Sequence, residues 1–126
     1  ACLAEGVSRV VHVSALGVAV DAPSRYQRSK ARGEEVLRGA NLDLTVLRPS
    51  VIFGAGDRFL NLFAQLQGLA PMVPLACAEA RFQPVWVEDV AAAIAACLRD
   101  DAIGRSTQGQ TIECAGPDVL TLGELV

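Results

Sequence analysis

The chain of 126 residues is poor in charge, with 20% charged residues against 52% apolar ones. Its net charge is −3. The basic residues Arg25, Arg28, Lys30 and Arg32 share a single segment, too sparse a patch for nucleic-acid binding. Long apolar runs are also missing. The longest, Val90 to Leu98, is closed by Asp89 and Arg99, far short of the roughly 20 residues of a membrane-spanning helix. The four cysteines, Cys2, Cys77, Cys97 and Cys114, make no CxxC pair and no metal-ligand spacing. That excludes a metal site of the zinc type, and they read as reduced, mostly buried thiols of a cytoplasmic protein. The single histidine, His12, lies among Val10, Val11 and Val13 and reads as sheet packing. No repeat or low-complexity segment is present.

The apolar excess suggests strands buried on both faces, as in a parallel sheet. Arg9 to Ser14 is a β-branched run read as a strand. Ser24 and Gln27 form a capping box after Pro23, opening a helix to Arg38 or Gly39. Leu44 to Leu47 is a second strand closed by Arg48-Pro49. Asp57 caps a helix from Arg58 to about Gly68, with Phe59, Leu62, Phe63 and Leu66 on one stripe. Residues 70–80, with Pro71 and Pro74, read as irregular. Phe82 to Val87 is a strand, followed by a helix through Leu98 with Asp89 as its N-cap and Trp86 in the core. Gln110 to Cys114 is the last strand. Strands alternating with helices give an α/β chain with parallel pairing.

Both ends read as interior sequence of a longer protein. Ala1 to Gly6 resembles a helix tail with a glycine cap and carries no signal-peptide pattern. Thr121 and Glu124 form a capping box for a helix just beginning at the other end.

The feature richest in chemistry is Tyr26-Gln27-Arg28-Ser29-Lys30. Four residues apart on a helix, the phenol and the ammonium share one face, and a lysine so placed makes a tyrosine a better proton donor and acceptor. Gly33, Leu37 and Ala40 fall on the same stripe, which predicts that this face meets a cleft and then the sheet, with Gly33 allowing close approach. Ser14 ends the first strand, where α/β folds bind ligands. Taken alone it could simply bond local backbone, but beside the Tyr-Lys pair it reads as a residue holding a substrate oxygen. Arg48 either bonds carbonyls at the strand end or faces an anionic substrate. Arg58 and Arg81 read as solvated charge.

The sequence resembles the short-chain dehydrogenase/reductase superfamily, in its extended and atypical, epimerase/dehydratase-like branches. The resemblance rests on Val11-His12-Val13-Ser14-Ala15, on Tyr26 to Glu34, on Thr45 to Gly54, on Phe82 to Ala91 and on Cys114 to Asp118. Gly54 to Ala64 is similar to the subgroup that includes the nucleotide-binding accessory subunit of respiratory complex I. The resemblance implies the C-terminal half of a Rossmann-like parallel sheet plus part of a small substrate domain. Residues 1–56 would be the back half of the NAD(P)-binding domain, and residues 57–126 substrate-domain segments interleaved with the last Rossmann strand and helix.

The roles implied are Tyr26 as acid-base, Lys30 as ligand of the nicotinamide ribose, and Ser14 as substrate-orienting residue. Pro49, Ser50, Val51 and Ile52 would contact the nicotinamide through backbone. The implied cofactor is NAD or NADP. The glycine-rich phosphate loop of the family is absent, since Gly54-Ala55-Gly56 lacks its third glycine and is followed by Asp57. These residues alone are therefore not expected to bind the cofactor.

Three functions follow. The first is an oxidoreductase or epimerase acting on a nucleotide-sugar or another carbonyl or hydroxyl compound. The second is a non-catalytic cofactor-binding subunit like that of complex I, and the third an NAD(P)-sensing regulator. The partner would be a respiratory complex or a second copy of the chain.

Overall fold

In the computed structural model, residues 1–69 and 79–125 are described. Cys77, and with it most of the segment read as irregular, lies outside them. A parallel sheet is the frame. It consists of β1 (Arg9–Val13), β2 (Asp43–Pro49) and β6 (Thr111–Cys114), in the order β1-β2-β6. Val11 pairs with Thr45, and Val46 with Thr111. The central strand is the core, with Thr45, Val46 and Leu47 fully buried. This is an α/β fold with the parallel sheet that the composition predicts, and it agrees with the Rossmann-like half implied by the resemblance.

Thr45 is a polar residue at the centre of this core, and its hydroxyl is satisfied. It donates to the Thr107 carbonyl at 2.6 Å and accepts from the Arg9 guanidinium at 2.8 Å. Arg9 also donates to the carbonyls of Asp43 and Cys97, at 2.9 and 2.7 Å. A single side chain thus ties β1 to β2 and to the end of α3 (Val87–Cys97).

Helix α1 (Arg25–Arg38) joins β1 to β2 within a residue of its expected limits. Its start differs in mechanism. Ser24 holds the extended N-cap conformation but makes no side-chain cap bond. The Arg28 guanidinium instead donates to the Ala22 and Pro23 carbonyls, at 2.6 Å each. The expected packing stripe is also displaced. The buried residues of α1 are Ala31 and Glu34, about a quarter turn from the Tyr26-Gly33-Leu37 line. A Cβ on Gly33 would meet nothing within 4 Å, so this glycine serves no close approach.

Strand β2 runs on through Arg48 and Pro49, where the Leu16 N–H donates to the Pro49 carbonyl and the Ser50 N–H to that of Cys114. The strand expected at Phe82 to Val87 is two short ones, β4 (Arg81–Phe82) and β5 (Val85–Trp86). Pro84 intervenes, lacking the N–H a continuous ladder needs. β5 pairs with β3 (Ile52–Phe53) in parallel, and β4 pairs antiparallel with β7 (Leu120–Thr121). Trp86, expected in the core, is 51% exposed.

Asp57 accepts from the Leu60 N–H at 2.7 Å and opens α2 (Phe59–Leu69). The apolar stripe expected there is exposed at Phe59 and Leu62. Helix α3 begins one residue after Trp86, so Asp89 lies in its first turn, not at its cap. The acid still favours the positive end of the helix dipole. The short helix α4 (Ala102–Ser106) is capped by Asp101, whose carboxylate accepts from the Ile103 and Gly104 N–H groups at 3.0 Å. The Thr121–Glu124 capping box forms as expected and opens α5 (Leu122–Leu125). Among the described residues no helix is long and apolar enough to cross a membrane.

Gly104 lies against the Arg99 carbonyl at the end of α3, and a Cβ there would overlap that backbone. Backbone cannot rotate away as a side-chain tip can. Gly104→Ala is expected to lower stability by about 3 kcal/mol in urea unfolding, as an overpacked site without room to relax. A change within experimental error would show that the α3–α4 corner is not rigid.

Candidate functional site

The sheet and α1 bring the chemistry-bearing residues to the C-terminal end of the strands. The Ser14 N–H donates to the Leu47 carbonyl at 2.7 Å, extending the β1–β2 ladder by one residue. Ser14 is buried at 4% exposure. Beyond it the chain turns through Ala15, Leu16 and Gly17, with Gly17 at a φ of 77° that favours glycine. A cleft of about 810 Å³ opens there, a size suited to a small-molecule ligand. Tyr26 and Gln27 of α1 form one wall, and Pro49, Ser50 and Val51 after β2 form another. Phe59 and Phe82, with ring centroids 6.0 Å apart, stand with Arg81 and Gln83 on the far side.

Tyr26 is 59% exposed at the mouth of this cleft. Lys30 stands behind it, its ammonium 5.9 Å from the Tyr26 ring centroid and donating to the Val13 carbonyl at 3.4 Å. The structure thus gathers Tyr26, Pro49, Ser50 and Val51 around one space, with Lys30 adjoining. Ser14 and Ile52 are placed differently. Ser14 does not line the cleft, and its buried hydroxyl has no hydrogen-bond partner. Ile52 is committed to pairing with Val85 in the β3–β5 ladder.

A second cluster lies under the first. Glu34, one turn beyond Lys30 on α1, is 3% exposed. Arg48 grips it with both ends of its guanidinium, Nε to Oε1 at 2.9 Å and Nη2 to Oε2 at 2.7 Å. Arg38 reaches Oε2 at 3.3 Å and also donates to Thr111 Oγ1 on β6 at 2.6 Å. The Arg48 hydrogen bonds hold the Glu34 carboxyl down at about 2, against the opposing effect of burial. The nearby Ser14 hydroxyl also favours the carboxylate, without forming a hydrogen bond of full geometry. Glu34 in turn raises Arg48. His12 is lowered by burial first and by the Lys30 charge second, with Glu34 opposing, and its Nε2 is buried without a partner. Stability that rests on neutral His12 is therefore present above the ordinary histidine value and lost as pH falls below it.

Neither role read for Arg48 from the sequence is the observed one. Its partner is a buried carboxylate, not a carbonyl or a substrate. The signal was present, because an arginine next to a run of buried strand residues needs a polar partner, and a buried acid is one such partner. Among the described residues Cys2, Cys97 and Cys114 are free thiols, and no group of His, Cys, Asp and Glu could hold a metal.

This arrangement has counterparts among known proteins. The chain superposes on a dTDP-glucose 4,6-dehydratase from Streptomyces venezuelae, solved with NAD bound, with a TM-score of 0.75, 23% identity, and 98% of this chain and 44% of that one covered. In sequence it is 43% identical over 123 residues to the Arabidopsis thaliana NADH dehydrogenase (ubiquinone) 1 alpha subcomplex subunit 9, mitochondrial, covering 95% of this chain and 29% of the relative. The chain belongs to the extended short-chain dehydrogenase/reductases.

The mouse subunit 9 is 39% identical over 124 residues, covering 96% of this chain and 31% of the relative. A ceramide reductase of Caulobacter vibrioides is 35% identical over 98 residues, covering 77% of this chain and 31% of the relative. The chain thus spans about 30% of the length of those curated relatives. No protein-family model matches the chain. The cytoplasmic placement expected from the cysteines is overturned, because the complex I relatives are mitochondrial proteins by name. Reduced thiols mark a reducing compartment, and the mitochondrial interior is one as well as the cytoplasm.

Proposed function

We propose that this chain forms the nicotinamide side of an NAD(P) site in an accessory subunit of a complex I-type respiratory assembly, holding the cofactor without turning over a substrate. The observation that carries this reading is the 43% identity to a complex I subunit across 95% of the chain. Mitochondrial residence follows from the same relationship. Residues 1–56 are the back half of the cofactor domain, and residues 57–126 carry substrate-domain segments interleaved with its last strand and helix.

The site fits such a cofactor. Lys30 supplies an ammonium for the hydroxyls of the nicotinamide ribose, and Tyr26 a phenol beside it. Pro49, Ser50 and Val51 offer backbone and apolar surface for the ring. NAD(P), when bound, supplies hydride chemistry; the residues present here bind and orient it. The burial of the Ser14 hydroxyl away from the cleft lining favours holding over turnover, since a substrate oxygen needs a polar group it can reach.

Retention of Tyr26 and Lys30 and the ceramide reductase relative favour a second reading, an oxidoreductase or epimerase acting on a carbonyl or carbinol carbon. The two separate in one experiment on the full-length protein. Nicotinamide absorbance is followed with a panel of nucleotide-sugars and lipid ketones, beside Tyr26→Phe and a native-gel test for comigration with NADH dehydrogenase activity. Comigration, cofactor binding and no turnover are expected, with Tyr26→Phe binding the cofactor within about threefold of wild type, a small difference in free energy. Turnover abolished by Tyr26→Phe would sink the accessory reading in favour of the enzyme.

A further inference from the structure

Lys30 and Glu34 stand four residues apart on α1, the spacing at which an ammonium and a carboxylate meet along a helix. Here they do not pair. Glu34 is held by Arg48 and Arg38, while Lys30 turns to the Val13 carbonyl and the Tyr26 ring. Arg48 covers both carboxylate oxygens, whereas Arg38 reaches only Oε2. A carboxylate 3% exposed cannot turn to water, so with Arg48 gone it must take the nearest remaining cation or lie uncompensated. The nearest is Arg38 on the same helix, but it holds only Oε2, at 3.3 Å; the cation left for Oε1 is Lys30, one turn back on α1.

We propose that Arg48 is a positioning residue which keeps Glu34 occupied and so leaves the Lys30 ammonium free for the cofactor. The inference rests on the cofactor-holding role of Lys30 given above. Arg48 also immediately precedes Pro49, Ser50 and Val51, so the same clamp fixes the α1 wall of the cleft to the opposite wall. Glu34 is then a liability that the helix carries and Arg48 contains. The consequence is an asymmetry. Removing Arg48 frees the acid to capture Lys30, whereas removing the acid leaves Lys30 where it is.

The test uses the full-length protein, titrated with NADH or NADPH, whichever the wild type binds, and separately with ADP, which lacks the nicotinamide riboside. Arg48→Met is expected to weaken dinucleotide binding about tenfold, the scale of one lost charge-assisted contact. Its ADP affinity should stay within about twofold, because that half of the ligand does not meet Lys30. Glu34→Gln alone should bind within about twofold of wild type, and Glu34→Gln with Arg48→Met should recover to within about threefold. If Arg48→Met does not fold, Arg48→Lys keeps the charge but not the two-pronged grip. It should then give a smaller loss with the same rescue by Glu34→Gln.

The role of Arg48 is overturned if Glu34→Gln weakens binding as much as Arg48→Met, if ADP affinity falls in parallel, or if the double variant binds no better than Arg48→Met. A wild type that binds neither NADH nor NADPH overturns the cofactor reading itself, and the inference with it.

Discussion

Arg48→Ala is expected to lower the stability of this fold by about 3 kcal/mol, the lower end of what is lost when one partner of a buried pair is removed. Glu34 explains the size. Its side chain is 4% exposed while that of Arg48 is 26% exposed. Truncating the arginine leaves a carboxylate with no route to solvent, held by the 3.3 Å contact to Arg38 and by whatever it draws from Lys30. Truncating the acid is milder. An arginine that already reaches solvent can extend further, so Glu34→Ala should cost about 1 kcal/mol, near that of an ordinary hydrogen-bonded contact. Urea unfolding of the two single variants and the double variant checks this, and the double variant should be more stable than Arg48→Ala alone. Equal losses at the two positions would mean that burial of the acid is not what makes the pair costly to break.

Acidification should remove the same contribution without mutation. The Glu34 carboxyl is lowered from 4.5 to about 2 in the folded chain. A group whose folded value is depressed stabilises the fold above its unfolded value and ceases to do so as pH falls through its folded value. The window therefore runs from about 4.5 down to about 2, and the loss across it is at most about 3 kcal/mol at about 1.4 kcal/mol per unit, more than Glu34→Ala costs because the neutral carboxyl still bears the cost of burial. Asp101 and Glu124 are lowered too, but Asp101 is partly exposed and Glu124 exposed, and solvent screens their interactions. The urea midpoint should fall steeply between pH 4.5 and 2.5 in wild type and more gently in Glu34→Gln. Equal slopes would assign acid sensitivity to other carboxylates.

Where local physics decided, the sequence was legible. The β-branched run at Arg9 to Ser14 and the Thr121–Glu124 box lie close to where they were expected, because strand propensity and capping act within a few residues; the helix after Pro23 also starts as expected, although without the Ser24 cap bond. The Tyr26–Lys30 face was legible for the same reason. What failed depended on partners distant in sequence. Gly33 and Leu37 shared a stripe with Lys30, but the sheet took the Ala31–Glu34 side, because Arg48 offers Glu34 a compensating charge there. Trp86 looked like core, and Pro84 instead split its strand and left the indole exposed. Helix α4 was missed although Asp101 could have been read as its cap. The buried acid and its arginine were the largest omission, and the rule that a charge inside a strand needs a partner would have found them.

The central claim is that α1 and the turn after β2 form a wall that holds the nicotinamide half of NAD(P), with Lys30 as its charged contact. Calorimetric titration of the full-length protein with NADH and NADPH, beside Lys30→Met, tests it most directly. The expected result is saturable binding of one dinucleotide in wild type, weakened at least about tenfold in Lys30→Met by loss of a charge-assisted hydrogen bond, with unchanged urea unfolding. Dinucleotide binding that Lys30→Met leaves intact, or no binding by the folded wild type, would contradict it.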